Sequence, residues 1–168
     1  MRFSFVRVGR LLAPVLLGLV ASGCGVLRAP GGLPPGTSID EARRSFGGPT
    51  GQYALDGGGT RLEFTRYKQT YMLDFDAGGR LVSNQQVLTE PRFAEIAQGM
   101  PADEVLRRLG HPTWVFGVGW QRRSVWNYRF YAPLGCVIFQ VSISDAGRVV
   151  EASQGIDPEC DIANSSRD

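Results

Sequence analysis

Histidine and cysteine are scarce in this chain of 168 residues, which contains one histidine and three cysteines. A zinc site built from such side chains needs several of them at ligand spacing, and neither a Gly-x-Ser-x-Gly elbow nor a phosphate-binding loop is present. We therefore predict that the chain is not an enzyme and has no catalytic residue, no metal ligand and no cofactor. The one histidine, His111, is interpreted as an isolated surface imidazole in a turn after a helix.

An excess of charge is also missing. The whole chain carries a formal charge of +2, from 18 basic and 16 acidic residues. Three of the arginines lie in the first 23 residues, so the rest of the chain has 15 basic and 16 acidic residues. A nucleic-acid-binding protein needs a basic patch to neutralise phosphates. That functional class is therefore excluded.

No apolar run is long enough to cross a bilayer as a helix. Three arginines precede the run Leu11–Val20, which has the length of a signal-peptide core. Small residues follow directly before Cys24, an arrangement that resembles the lipobox of bacterial lipoproteins. The resemblance implies a signal peptide over residues 1–23, a lipidated Cys24 and, because Gly25 is not acidic, the periplasmic face of the outer membrane of a Gram-negative bacterium. In the alternative interpretation, Cys24 is an ordinary residue after a plain secretory signal.

Residues 24–35 are rich in proline and glycine and have no hydrophobic periodicity, which predicts a tether. One helix-sized segment then occurs twice. Residues 36–50 read GTSIDEARRSFGGPT and residues 99–113 read GMPADEVLRRLGHPT, with seven of the fifteen aligned pairs identical. The chain is therefore predicted to contain an internal duplication, with a first repeat over residues 36–90, a second over 91–155 and a tail over 156–168.

Each repeat begins with a predicted helix and continues with strands. Ser38 is the predicted N-cap of the first helix, with Thr37 as a competing cap. Pro101 suits the first turn of the second helix, and both helices are predicted to end at a glycine, Gly47 or Gly110. The paired acids of the two first turns are interpreted as favouring the helix dipole rather than as catalytic carboxylates. After each helix the hydrophobic period changes to two, which indicates antiparallel strands with one buried face. The predicted fold class is α+β, with each repeat packing its helices on a three-stranded antiparallel meander.

The second repeat is predicted to have an additional short helix, Pro91–Gln98, for which the first repeat has only the tether. Together with the Gly99-Met100 pair, the Leu109-Gly110-x-Pro112 turn and the later aromatic strands, this helix resembles the SmpA/OmlA family of small outer-membrane lipoproteins, which includes BamE. The tandem arrangement also resembles the architecture of the β-lactamase inhibitory proteins. The first resemblance implies an accessory role in folding outer-membrane proteins, with the β-barrel assembly machinery as a possible partner.

The most suggestive surface of the sequence is Trp114–Arg123, which reads WVFGVGWQRR. Tryptophan and arginine are enriched where proteins bind partners, so Trp120, Arg122 and Arg123 are the predicted partner-binding residues. Trp114 and Phe116 are instead interpreted as core residues of a first strand. The predicted function is a non-catalytic interaction module in envelope assembly. Two alternatives remain, a periplasmic protein inhibitor of an enzyme and a structural module that binds lipid or cell wall.

Two thiols remain once Cys24 carries lipid. Cys136 and Cys160 form an even pair in an oxidising compartment. We therefore predict a disulfide between them.

Overall fold

The computed structural model of the protein describes residues 30–132, 135 and 137–159. This part of the chain forms two units, each with an α-helix followed by a four-stranded antiparallel sheet. The first unit contains α1 (Ile39–Phe46), β1 (Gly51–Ala54), β2 (Thr60–Arg66), β3 (Gln69–Phe75) and β4 (Leu81–Gln86). The second contains α2 (Glu90–Phe93), α3 (Ala102–Leu109), β5 (Trp114–Val118), β6 (Arg123–Arg129), β7 (Val137–Ser144) and β8 (Val149–Ile156).

Each sheet is a meander in which strands adjacent in sequence pair with each other. The predicted α+β class is correct, but the prediction of three strands is wrong, because β1 and β5 each add a fourth strand at an edge. The four residues of β1 read GQYA and give little hydrophobic signal. An edge strand pairs on one side, and the polar side chains of β1 are stabilised by hydrogen bonds instead of by burial.

The helix ends follow the predicted local chemistry. The Ser38 hydroxyl accepts the backbone N–H of Glu41, as an N-cap does. Gly47 and Gly110 follow the last helical residues, and both have a φ of 81°. Such a positive φ is strained for any residue with a Cβ, so glycine ends both helices at this point. Pro101 is the N-cap residue of α3, at the position that Ser38 has in α1.

The same backbone hydrogen bonds recur in the two units. The N–H of Gly36 donates to the Leu81 carbonyl, and the N–H of Gly99 donates to the Val149 carbonyl, each over 2.8 Å. A break in the strand register also recurs, after Asp74 in β3 and after Ser142 in β7. These bonds fasten the start of each helix segment to the last strand of its own sheet.

The described end of the predicted tether lies on the first unit. Pro30–Gly32 form a single turn of 3₁₀-helix, and Leu33 packs against the first core. Pro30 and Leu33 lie 63 positions before Phe93 and Ile96, which cover the second core. The first unit therefore has a counterpart of α2, although the sequence predicted only a tether there. The short helix predicted at Pro91–Gln98 is itself one turn, Glu90–Phe93.

Each unit has its own hydrophobic core between its helices and one face of its sheet. The first core consists of Ala42, Phe46, Leu62, Phe64, Tyr71, Leu73, Phe75 and Leu81. The second consists of Leu88, Phe93, Ile96, Val105, Leu109, Tyr128, Phe130, Phe139, Val141, Ile143 and Val149. The alternation of apolar residues along the strands predicted these faces.

The second face of the first sheet is also buried, against the expectation of one solvent-facing side. Glu63, Thr70 and Met72 lie on this face and expose almost no surface. The end of α3 covers them, since the Arg61 guanidinium donates to the Arg107 carbonyl over 2.9 Å. The layers therefore alternate, with α1 on the first sheet, that sheet on α3, and α3 on the second sheet.

Candidate functional site

Glu63 is a fully buried carboxylate at the junction of the two units. Its Oε1 accepts the Thr50 hydroxyl over 2.8 Å and the backbone N–H of His111 over 3.0 Å. Its Oε2 accepts the Tyr53 hydroxyl over 2.7 Å and faces Nδ1 of His111 at 2.9 Å. The strand β2 fixes the carboxylate, while β1 and the turn after α3 supply the donors.

These hydrogen bonds determine the charge of the cluster. Burial alone would raise the pKa of Glu63, but the N–H groups of His111 and the hydroxyls of Tyr53 and Thr50 outweigh it and hold that pKa below its usual value. Burial and the bond to the carboxylate raise the pKa of Tyr53. Glu63 is therefore an anion beside a neutral phenol at neutral pH.

The interpretation of His111 as an isolated surface residue is wrong. Its ring is about half exposed, but the Nδ1 side is bound to Glu63 of the other unit. A histidine held by a carboxylate can act as a base when a nucleophile donates to the ring. Within the described ranges no hydroxyl or thiol donates to His111, and the hydroxyls nearby donate to Glu63. The geometry is that of a structural contact between the units. We call this cluster of Glu63, Thr50, Tyr53 and His111 the tie between the units.

Two glycines make this tie possible. A Cβ on Gly51 would lie 2.6 Å from Oε2 of Glu63 and 3.1 Å from Cε1 of His111. A Cβ on Gly110 would lie 2.8 Å from Cδ of Glu63. All three distances are shorter than an ordinary packed contact, so a side chain at either position would push the second unit away from the first sheet.

The corresponding face of the second sheet is closed by the chain itself. Gly51 pairs with Glu63 in the first sheet, and Trp114 pairs with Asn127 at the same place in the second. The guanidinium carbon of Arg129 lies 4.7 Å from the centre of the Trp114 ring. Arg129 also binds both carboxylate oxygens of Asp157, which is almost fully buried. The interpretation of Trp114 and Phe116 as core residues is therefore wrong, because Trp114 is half-buried on the face opposite the second core and Phe116 is 45% exposed.

Large apolar side chains of the second unit are exposed along β5 and in the loop after it. Val115 is 50% exposed, Phe116 45% and Trp120 84%. Arg122 is exposed as well, and its Nε lies 3.0 Å from Oδ2 of Asp145. The three predicted partner-binding residues differ in exposure. Trp120 and Arg122 are exposed, whereas Arg123 is half-buried and its Nε has no acceptor among the described residues.

The remaining predicted site residues, Cys24, Cys136 and Cys160, lie outside the described residues. Within the described part of the chain, no three histidine, cysteine, aspartate or glutamate side chains converge on a possible metal position. No helix in that part is both long and apolar enough to cross a membrane.

One cavity of about 60 Å³ lies between the units. Three arginines line its wall, and each is paired with a carboxylate: Arg61, Arg92 and Arg108.

No known protein family and no curated protein sequence matches the chain. The resemblance to the SmpA/OmlA family therefore stays a prediction.

Among solved structures, the chain is similar to a candidate β-lactamase inhibitor protein from Streptococcus mutans, with 12% identity, 71% of this chain and 82% of that one covered, and a TM-score of 0.32. It is also similar to a cysteine-rich secretory protein from Staphylococcus aureus, with 15% identity, 74% of this chain and 44% of that one covered, and a TM-score of 0.29. A DUF4309 family protein from Bacillus subtilis shares 11% identity, with 72% of this chain and 79% of that one covered, at a TM-score of 0.31.

Proposed function

We propose that the chain is a non-catalytic interaction module made of two BamE-like repeats and anchored by a lipidated Cys24 at the periplasmic face of the outer membrane. It binds a protein partner in envelope assembly, and the β-barrel assembly machinery is the candidate partner. The partner contacts the outer side of the second unit through Trp120 and Arg122, with Arg123 behind them.

The observation that carries this proposal is the group of exposed apolar side chains on β5 and its loop. Val115, Phe116 and Trp120 are large apolar side chains within six consecutive positions, and each is at least 45% exposed. Val115 and Phe116 lie on opposite faces of the sheet, so together they mark the edge of the strand. A single exposed apolar residue is ordinary, whereas several exposed together indicate an interaction site. Tryptophan and arginine are also among the residue types most enriched at binding hot spots.

The recurring caps, hydrogen bonds and register breaks support an origin by duplication. Within that pattern the two units differ at the proposed surface. The first unit has Asp56–Gly58, a polar turn, where the second has the loop Gly119–Gln121 with Trp120 at its centre. Binding is therefore assigned to the second unit.

The test is capture of partners from crosslinked envelopes by the lipidated protein and by its Trp120→Ala/Arg122→Ala variant. We expect the variant to lose roughly 1 to 4 kcal/mol of binding free energy for its partner. Its melting temperature should change little, because both side chains are exposed. Tyr67→Ala removes an aromatic side chain that is 69% exposed in the first unit, and it serves as the matched control. Arg123→Ala is measured separately because that side chain is half-buried.

The identity of the captured material separates the alternatives. Barrel-assembly subunits support the proposal, whereas a single hydrolase indicates an inhibitor and peptidoglycan fragments indicate a cell-wall module. If the double variant captures the partner as well as the parent does, Trp120 and Arg122 are not part of the binding site.

A further inference from the structure

In the part of the chain that the structure describes, nothing pairs with the outer edge of β5. Within the described residues, no backbone hydrogen bond joins residues 114–118 to any element other than β6. The segment Trp114–Trp120 contains neither a charged residue nor a proline. Natural proteins usually protect such an edge with lysine, proline, a bulge or a covering segment, because its free N–H and carbonyl groups can pair with another chain.

The other sheet edges are protected in part, by backbone bonds at the first residue of the strand or by polar side chains. In β4, the backbone of Leu81 is bonded to Gly36 and Thr37, and in β8 the backbone of Val149 is bonded to Gly99 and Met100. The strand β1 is one residue shorter than β5, and its Gln52 side chain is bound by Arg43. Among the four edges described, β5 therefore combines a free backbone with apolar side chains.

Those side chains lie on both faces of the sheet. Phe116 pairs with Val125, on the face that Trp114 covers, while Val115 pairs with Trp126, on the face of the second core. A strand added beside β5 would therefore find an apolar neighbour on each face. This matches an extended peptide whose successive side chains are apolar.

We propose that β5 receives an extended segment of a protein partner as a fifth strand of the second sheet. The proposal rests on the proposed function and names how the partner is held. The segment carries apolar side chains against Val115 and Phe116, and a carboxylate near Arg122. Backbone hydrogen bonds supply affinity in such strand addition, and the side-chain contacts supply specificity.

Charge favours a partner segment that carries a carboxylate. The side chains of Arg122 and Asp145 are 82% and 58% exposed, and an ion pair this exposed contributes little. A carboxylate of the partner can therefore replace Asp145 beside Arg122 at little cost. A second copy of this chain is the competing occupant, and crosslinks between two copies would identify it.

The test places a photo-crosslinking amino acid at position 115, 116 or 117 of the full lipidated protein in its own envelope. Strand addition predicts that the three positions crosslink to consecutive residues of one partner segment. The control position is 82, because Val82 is 61% exposed on β4 in the first unit, and we expect no partner crosslink there. Crosslinks that scatter over distant partner residues, or that join two copies of this chain, overturn the proposal.

A variant pair gives a second readout. Val115→Lys places a charge on the edge, and we expect it to lower the crosslink yield from position 117 about tenfold, which corresponds to ~1.4 kcal/mol. Val82→Lys is the matched variant and should leave both the yield and the melting temperature unchanged. A scattered pattern that still depends on Trp120 ends strand addition but keeps the proposed function. No partner crosslink from any β5 position also ends strand addition, whereas the proposed function fails only if the Trp120→Ala/Arg122→Ala variant captures its partner undiminished.

Discussion

The tie between the two units can be tested by replacing Glu63 with glutamine. Glutamine keeps the shape and one oxygen, so the acceptor for Thr50 and for the N–H of His111 remains. Its amide nitrogen faces Tyr53 and Nδ1 of His111, where the carboxylate had accepted. A hydrogen bond to a charged group contributes about 1.5 to 3 kcal/mol. Since at least one such bond is lost and the others lose their charge, we expect Glu63→Gln to lower the free energy of unfolding by roughly 2 to 4 kcal/mol.

The assay is urea unfolding at pH 7 of the protein without residues 1–23. At about 3 °C per kcal/mol for a domain of this size, the same loss lowers the melting temperature by roughly 6 to 12 °C. Glu151→Gln, on the exposed side of β8, is the control and should change stability by less than about 0.5 kcal/mol. If Glu63→Gln costs no more than this control, the assignment of Glu63 as the tie is refuted.

The pH dependence of the unfolding free energy tests the same assignment of Glu63. The pKa of Glu63 is lower in the folded protein than its ordinary value of 4.5. A depressed carboxylate contributes stability that is complete above the unfolded pKa and is lost as the pH falls through the folded pKa. The stability difference between the parent and Glu63→Gln should therefore be constant well above pH 4.5 and shrink below that value. A difference that grows on acidification contradicts the assignment.

Three further predictions concern one glycine, the lipidated cysteine and the pair of remaining cysteines. Gly51→Ala should destabilise by roughly 1 to 3 kcal/mol through overpacking against the tie, whereas Gly117→Ala, which meets no atom within 4 Å, should be nearly neutral in the same unfolding assay. Cys24→Ser should release the protein into the soluble periplasm, since acyl chains supply the anchoring; unchanged membrane fractionation would contradict lipidation. Thiol labelling of the denatured, unreduced protein should find Cys136 and Cys160 unreactive, and two labelled thiols would disprove their disulfide.

Local signals predicted most of the fold. Helix caps, the two core faces and the turn glycines depend on neighbours in sequence, so Ser38, Gly47 and Gly110 could be assigned without a structure. The strand β1, which reads GQYA, was harder because an edge strand needs little apolar periodicity, whereas Trp114 and Phe116 already indicated a strand at β5. The 3₁₀ turn at Pro30–Gly32 was hidden in a proline-rich segment whose composition is that of a linker.

The tie between the units could not be predicted from local signals. Alternation placed Glu63 on the solvent side of β2, and that would be correct for an isolated repeat. The second unit covers this face, so the burial of Glu63 depends on a partner 48 positions away. One signal was available in the sequence, because His111 replaces Gly48 in an otherwise similar turn. A side chain gained at a turn is a reason to look for a contact outside the repeat.

The two sheets differ at the place where a further unit could dock. The first sheet has Gly51, which leaves room for the turn of the next unit, together with Arg61, which binds the end of α3. In the second sheet, Trp114 takes the position of Gly51, and Val125 takes the position of Arg61. Terminal units of repeat proteins commonly close their outer surface in this way. Because Trp114 and Arg129 already cover that face, a partner of the second unit has to bind elsewhere, and the edge of β5 is the adjacent apolar surface that stays open.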